Sequence, residues 1–179
     1  ATSDWERPLY VNATSLSQFS VDLSRYVVQE GNAYRILPVY NPRPFNQMEL
    51  VNTKVSYENM LKKFQFRNTD NPKVYYNQDY RNMILNHRSS FNALAEFLIL
   101  RGDTAKAKEV INYGLAKMPG NAIPFGFTNA ETGDMLFQVG EKGKALEIAN
   151  TMSVRSDELA TYYIKKQSYG RDLQMNVAI

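Results

Sequence analysis

The hydrophobic pattern of the chain changes its period partway along its length. In the first part, the segments PLYVN (8–12) and AYRILPVY (33–40) are rich in β-type residues and predict short strands. The segment SVDLSRYVVQEG (20–31) is typical of a short helix that ends at Gly31. The pattern therefore predicts a small mixed α/β part over residues 1–50.

Further along, apolar residues recur with the 3.6-residue period of α-helices. Helices are predicted over residues 52–66, 78–101, 104–117, 128–139, 141–152 and 156–175. Asn77 and Ser156 are each expected to cap a helix, and either Asp103 or Thr104 a third, because each side-chain oxygen can accept a hydrogen bond from the first helical turn. The predicted fold class is mainly α, with a helical part over residues 51–179.

Residues 91–119 have the spacing of a tetratricopeptide-like repeat, which pairs two antiparallel helices over about 34 residues. The pattern requires bulky, small and turn-forming residues in a set order along both helices. The matching residues are Phe91, Leu94, Ala95, Leu98, Gly102, Ala107, Ile111, Gly114, Leu115 and Pro119. The small residues would let the two backbones approach closely while the large ones fill the space between them. A generic helical hairpin remains the alternative.

A second and weaker repeat unit is predicted near residues 129–152, with matching residues Gly133, Leu136, Gly140 and Ala145. Asn129 stands where a bulky residue is usual. The helix at 156–175 would cap the stack, because the terminal unit of a repeat array leaves an apolar face uncovered.

Composition narrows the chemistry that the chain can perform. It has no cysteine, one histidine and a net charge of +3, from 21 basic and 18 acidic residues. The absence of cysteine excludes disulfides, thiol catalysis and cysteine-zinc sites. The basic residues do not cluster as they do in nucleic-acid-binding proteins. We find no catalytic constellation, and we expect no metal, no cofactor and no nucleic-acid partner.

Four residues are candidates for ligand binding. Glu30, Tyr34 and Arg35 form the most distinctive polar cluster of the chain. Arg35 could pair with a phosphate or carboxylate of a ligand, although a structural salt bridge at a corner of the chain is the simpler alternative. His87 lies on the apolar stripe of the long helix at 78–101, where packing with one hydrogen bond is the first expectation and a functional role the second.

Four segments occur in an order that resembles one known family. They are WERPLY (5–10), EGNAYRILP (30–38), VNTKVSYENMLKKFQF (51–66) and NHRSSFNALAEFLI (86–99). Together they resemble the C-terminal extramembrane region of a large family of multi-spanning membrane proteins, common in Bacteroidota and of uncharacterised function. The membrane part of that family is similar to that of protein O-mannosyltransferases, which use lipid-linked sugars. Asn32 and Lys54 stand where the family has an apolar and an acidic residue.

The resemblance implies a domain attached to the last membrane helix, on the periplasmic side of the inner membrane. It transfers no catalytic residue to this chain, because the membrane spans and the acidic residue expected of such a transferase do not occur in it. Our first hypothesis is a non-catalytic interaction or scaffold domain whose repeat groove binds a partner protein or an extended peptide. The alternatives are a component of the acceptor or sugar-lipid site of a parent glycosyltransferase, shaped by Glu30, Tyr34 and Arg35, and a free-standing soluble repeat adaptor.

Overall fold

The computed structural model describes residues 4–16, 18–41 and 50–166 of the chain. Its strands are β1 (Leu9–Val11), β2 (Val27–Gln29) and β3 (Tyr34–Ile36). The helices within these ranges are α1 (Ala13–Leu16), α2 (Thr53–Glu58), α3 (Gln78–Leu100), α4 (Thr104–Lys117), α5 (Thr128–Gln138) and α6 (Lys142–Lys165). A 3-10 turn (Ser24–Tyr26) precedes β2, and a π turn (Asn59–Lys63) continues α2. The fold is thus mainly α with a small α/β part at its N-terminal end, which confirms the predicted fold class.

The strands form a three-stranded antiparallel sheet in the order β1-β3-β2. The helix predicted over residues 20–31 is therefore wrong, because its second half forms β2. Val27 and Val28 are β-branched, which favours a strand, and both pair with β3. Gly31 does adopt a positive φ of 84°, but it does so in the turn between β2 and β3 rather than after a helix. The strand predicted over 33–40 is shorter, since β3 ends before Pro38.

The sheet is attached to the start of the helical part through buried backbone groups. The N–H of Gln29 donates to the carbonyl of Leu50 at 2.8 Å, and the N–H of Asn52 donates to the carbonyl of Gln29 at 2.9 Å. The hydroxyl of Ser56 on α2 accepts from the N–H of Gly31 at 2.9 Å and donates to the Gln29 carbonyl at 3.3 Å. These bonds fix α2 against the end of β2.

α3 and α4 form the predicted helical hairpin, joined at Gly102, which has a φ of 78°. The predicted caps are confirmed: Asn77 accepts from the N–H of Tyr80, and Asp103 accepts from the N–H of Lys106. Among the repeat residues, Phe91, Leu94, Ala95, Leu98, Ala107, Ile111 and Gly114 are buried, Leu115 and Pro119 are half-buried, and Gly102 is exposed. A Cβ atom at Gly114 would lie 3.1 Å from Cγ of Phe91, so the two helices touch closely there.

α5 and α6 pack against each other after a turn at Gly140, whose φ is 84°. The prediction of separate helices at 141–152 and 156–175 is wrong, because α6 is continuous through this region. Ser156 is buried within α6 instead of capping a new helix. No glycine or proline interrupts the sequence there, so nothing forces the helix to stop. Residues 167–175 of the predicted capping helix lie outside the described residues.

None of the helices in the described ranges combines the length and the apolar run that a membrane crossing requires.

Candidate functional site

The Glu30 cluster joins three neighbouring elements around one buried carboxylate. Glu30 accepts hydrogen bonds from the hydroxyl of Tyr10 at 2.7 Å and from Nδ2 of Asn52 at 3.1 Å. Its Oε1 also lies 3.8 Å from Nη1 of Arg35, whose side chain is 44% exposed. The pKa of the Tyr10 hydroxyl is raised, first because it donates to the Glu30 carboxylate and then because it is partly desolvated.

The structure therefore brings two of the three predicted cluster residues into an ion pair. Tyr34 lies next to Arg35 on β3, where it pairs with Val11 and Gln29 across the sheet. The Glu30 carboxylate acts as a crosslink within the fold, while the guanidinium of Arg35 keeps an accessible side. Ligand binding by Glu30, Tyr34 and Arg35 remains a prediction.

His87 lies at the contact between α3 and the turn that follows β2. Nδ1 of its half-buried ring contacts the amide nitrogen of Asn32, and its edge faces Phe66 with ring centroids 6.5 Å apart. Burial lowers the pKa of His87 below its ordinary value. Asn32 is thus the residue that contacts the histidine. No cluster of metal-binding side chains is found in the described part of the chain, and a ligand role for His87 remains a prediction.

Arg88 is a functional candidate that the sequence pattern does not single out. It is buried, and its guanidinium donates to the carbonyls of Met118 at 2.6 Å and Pro124 at 3.2 Å and to Oδ1 of Asn129 at 3.2 Å. It also donates to the carbonyl of Ile123. No ion pair in the described ranges includes Arg88. Burial lowers its pKa to about 10, so the side chain stays charged at neutral pH.

The bonds of Arg88 hold the segment between α4 and α5 in place. Asn129 stands where the repeat pattern has a bulky residue, and its Oδ1 accepts from both Arg88 and the N–H of Gly126 at 3.1 Å. Next to it, Asn92 donates to the carbonyl of Thr128 at 3.0 Å and accepts from the hydroxyl of Thr132 at 2.9 Å. The contact between α3 and α5 is therefore a buried polar seam.

One face of α3 carries two openings end to end. Its residues follow one another at alternating steps of four and three, which places them on a single helical face; they are Gln78, Asn82, Leu85, Ser89, Asn92 and Glu96. The first three line one cavity and the last three line another. The two cavities share no lining residue.

The second opening, which we call the α3–α5 groove, has a volume of about 450 Å³, and all of its described lining residues belong to α3 or α5. Its described charged residues are Glu96, Glu131 and Asp134, and none of the described lining residues is a lysine or an arginine. Ile99, Leu100 and Met135 add apolar surface, and no aromatic residue in the described part of the chain lines the groove. An acidic groove therefore opens between the first helices of the two hairpins, and no described residue of α6 lines it. It lacks the exposed aromatic residues expected of a binding surface between the repeats, and whether it binds a partner remains a prediction.

The first opening, which we call the cationic cavity, has a volume of about 800 Å³. It lies between the first turns of α3, the segment 123–128 and the second half of α6. Among the described residues, its charged lining residues are Arg81 and Arg155, and none is an aspartate or a glutamate. The two openings on α3 therefore have opposite charge.

Comparison with known proteins gives a match for the N-terminal part of the chain. Residues 1–55 match the family model described as TMEM260-associated domain 2. This range includes the sheet and the Glu30 cluster and ends within α2, before the hairpins begin. No curated protein and no solved structure matches the chain. The N-terminal part is therefore similar to a domain associated with a TMEM260-like membrane-protein family.

Proposed function

We propose that the chain is a non-catalytic interaction domain of a membrane protein, and that its α3–α5 groove binds an extended segment of a partner protein. The observation that carries this proposal is an open groove lined by the first helices of two successive hairpins. Glu96, Glu131 and Asp134 give the groove a negative charge that no lysine or arginine among its described lining residues compensates. Complementary charge guides partner choice and association, so the favoured segment carries lysine or arginine.

The test is selection of peptides from a random display library on the purified domain. We expect enrichment of peptides with several lysine or arginine residues. The triple change Glu96→Gln, Glu131→Gln and Asp134→Asn keeps side-chain shape and removes the charge, and it should weaken the selected peptides about tenfold or more.

The matched control neutralises three exposed carboxylates outside the groove, at Glu58, Asp157 and Glu158. Peptides selected on the unchanged domain should bind this control variant normally. Selection without any basic preference, or an equal loss in both triple variants, would contradict the proposal.

The wider setting of the proposal rests on the family match and on the resemblance carried by the four sequence segments. The domain would face the periplasm beside the membrane part of a glycosyltransferase-like parent, and would hold a partner or an acceptor segment near that part. Fractionation of native cells tests this setting. An antibody against the domain should detect an inner-membrane band much heavier than 20.5 kDa, and protease added to spheroplasts should cut it. A soluble band of the size of this chain would favour a free-standing adaptor.

A second candidate function is a contribution to the acceptor or sugar-lipid site of the parent. The observation that favours it is the accessible guanidinium of Arg35 within the family-matched part of the chain. Replacing Arg35 by alanine in the full-length parent should then lower transfer even well below the melting temperature of the domain, which itself falls because Glu30 loses its cationic partner. Normal transfer by that variant would exclude this function.

A further inference from the structure

The cationic cavity is an open cleft with the volume of a small-molecule site. Its volume is about 800 Å³, and cavities that bind small ligands usually measure about 300–1,000 Å³. Three separate parts of the fold form its walls: the first turns of α3, the segment 123–128 and the second half of α6. None of its lining residues belongs to the α3–α5 groove, so ligand binding in this cavity is independent of the proposed function.

No carboxylate among the described residues forms an ion pair with the two arginines of the cavity. Nε of Arg81 donates to the carbonyl of Tyr76 at 2.8 Å, and its guanidinium lies over the ring of Tyr75 at 5.6 Å. Neither contact neutralises the positive charge of Arg81. Arg155 is half-buried, and the ion pairs of the described residues include neither arginine. Two such guanidinium groups favour an anionic group, because arginine binds carboxylate and phosphate through charged hydrogen bonds.

Apolar and aromatic side chains form part of the remaining walls, beside the polar Gln78, Asn82, Thr128 and Ser156. Leu85, Leu159, Phe125 and Phe127 line the cavity, and Phe127 is 58% exposed. The ring of Phe125 is held in place by Arg88, whose guanidinium carbon lies over the ring at 5.2 Å from its centre. The walls are therefore suited to an aromatic or aliphatic body attached to the anionic group.

We infer that the cationic cavity binds a small organic anion. Arg81 and Arg155 would hold its carboxylate or phosphate group, and its apolar body would pack on Phe127 and Leu159. Free inorganic anions would bind more weakly, since they would leave the apolar walls uncovered.

Titration of the purified, isotope-labelled chain, followed by NMR of its backbone amides, tests this inference. The probes are 1-naphthyl phosphate, 1-naphthoate, the neutral 1-naphthol and inorganic phosphate. We expect the naphthyl anions to shift the signals of Gly126 and other lining residues, and naphthol and inorganic phosphate to bind at least about tenfold more weakly than the better naphthyl anion. The stronger of the two anions identifies the anionic group that the arginines prefer.

The variant Arg155→Gln should weaken the better anion about tenfold, and Arg155→Lys should retain part of the binding because it keeps the charge. Arg67→Gln is the matched control, since Arg67 is exposed outside the cavity and should leave affinity unchanged. Equal binding of 1-naphthol and 1-naphthyl phosphate to the unchanged chain would overturn the inference, whatever the variants do. An equal effect of the Arg67 and Arg155 changes would overturn it as well.

Discussion

At the scale of single residues, Arg88 is the side chain on which the segment between α4 and α5 depends. Its guanidinium satisfies carbonyl groups that would otherwise be buried without a donor, and the same segment forms a wall of the cationic cavity. The charge is stabilised by backbone dipoles instead of a carboxylate. Loss of this one residue should therefore affect both stability and the cavity.

The change Arg88→Met should lower the free energy of unfolding by at least about 3 kcal/mol, because it leaves several buried acceptors without a donor. Urea unfolding followed by circular dichroism measures the effect. Arg67→Met is the control, since Arg67 is exposed and its change should stay within about 0.5 kcal/mol. A similar small effect for both variants would mean that water satisfies these carbonyls as well as the guanidinium does.

His87 should titrate below its ordinary value in the folded chain. Burial lowers its pKa, and protonation of Nδ1 would oppose the amide nitrogen of Asn32. The unfolded chain titrates near 6.5. As the pH falls below 6.5, the unfolded state binds the proton more readily than the folded state does. The free energy of unfolding therefore decreases with falling pH from about 6.5 down to the lower pKa of the folded chain, and below that pKa it loses nothing more.

Because His87 is the chain's only histidine, its ring protons give one unambiguous NMR titration curve. The urea-unfolded chain provides the reference curve. A folded pKa at or above the unfolded one would show that the ring is more hydrated or closer to negative charge than its surroundings indicate.

The neighbours His87 and Arg88 show how far single residues can be predicted from sequence. The helical pattern places His87 on the packed face of its helix, and it is half-buried there. Arg88 lies four residues after Ile84 and three before Phe91, so the helical period also places it on the buried face. The pattern does not single it out, because a charged residue is rarely fully buried. Its acceptors belong to a segment about 30 or more residues away whose position no local pattern encodes.

At the scale of elements, the close contact between α3 and α4 depends on Gly114.

The caps and turns of this hairpin are predictable because they are local: a side-chain oxygen at the start of the helix and a glycine at its end suffice. The continuity of α6 cannot be predicted in the same way, because serine both caps helices and occurs inside them. Strand β2 cannot be predicted from the pattern, because a stretch as short as Val27–Gln29 shows no distinct hydrophobic period.

The change Gly114→Leu should lower the free energy of unfolding by about 2 kcal/mol, because the new side chain must displace the buried ring of Phe91. The control is Gly143→Leu, at a helical glycine with open space around it. That change should be neutral or slightly stabilising, since leucine favours the helix more than glycine does. Thermal unfolding of the two variants compares them, and equal melting temperatures would mean that the hairpin opens without cost.

At the scale of the whole molecule, the sheet and the helical part are joined by the hydrogen bonds of Gln29 and Ser56. The family match covers the sheet and the beginning of α2, so it spans this junction. The division predicted at residue 50 rests on a change in the hydrophobic period of the sequence. That period describes local structure and does not indicate the hydrogen bonds that cross the boundary. We therefore expect both parts to unfold together.

The change Ser56→Ala should destabilise the whole chain by about 1.5 kcal/mol, because the buried N–H of Gly31 loses its acceptor. Hydrogen exchange should show a loss of protection in β3 and in α3 alike. Ser89→Ala is the control, since the Ser89 hydroxyl is exposed and donates only to the carbonyl of Leu85 in its own helix. If protection falls in the sheet alone, the two parts unfold independently.

The charges along α3 are ordered, with positive charge near the start of the helix and negative charge towards its end. The arginines of the cationic cavity lie at the helix start and the carboxylates of the α3–α5 groove lie towards its end, the same sense as the backbone dipole of the helix itself. With 23 residues at about 1.5 Å each, α3 extends over about 34 Å. An elongated molecule with a negative and a positive end would therefore be accepted in one orientation and repelled in the other, so this face distinguishes head from tail.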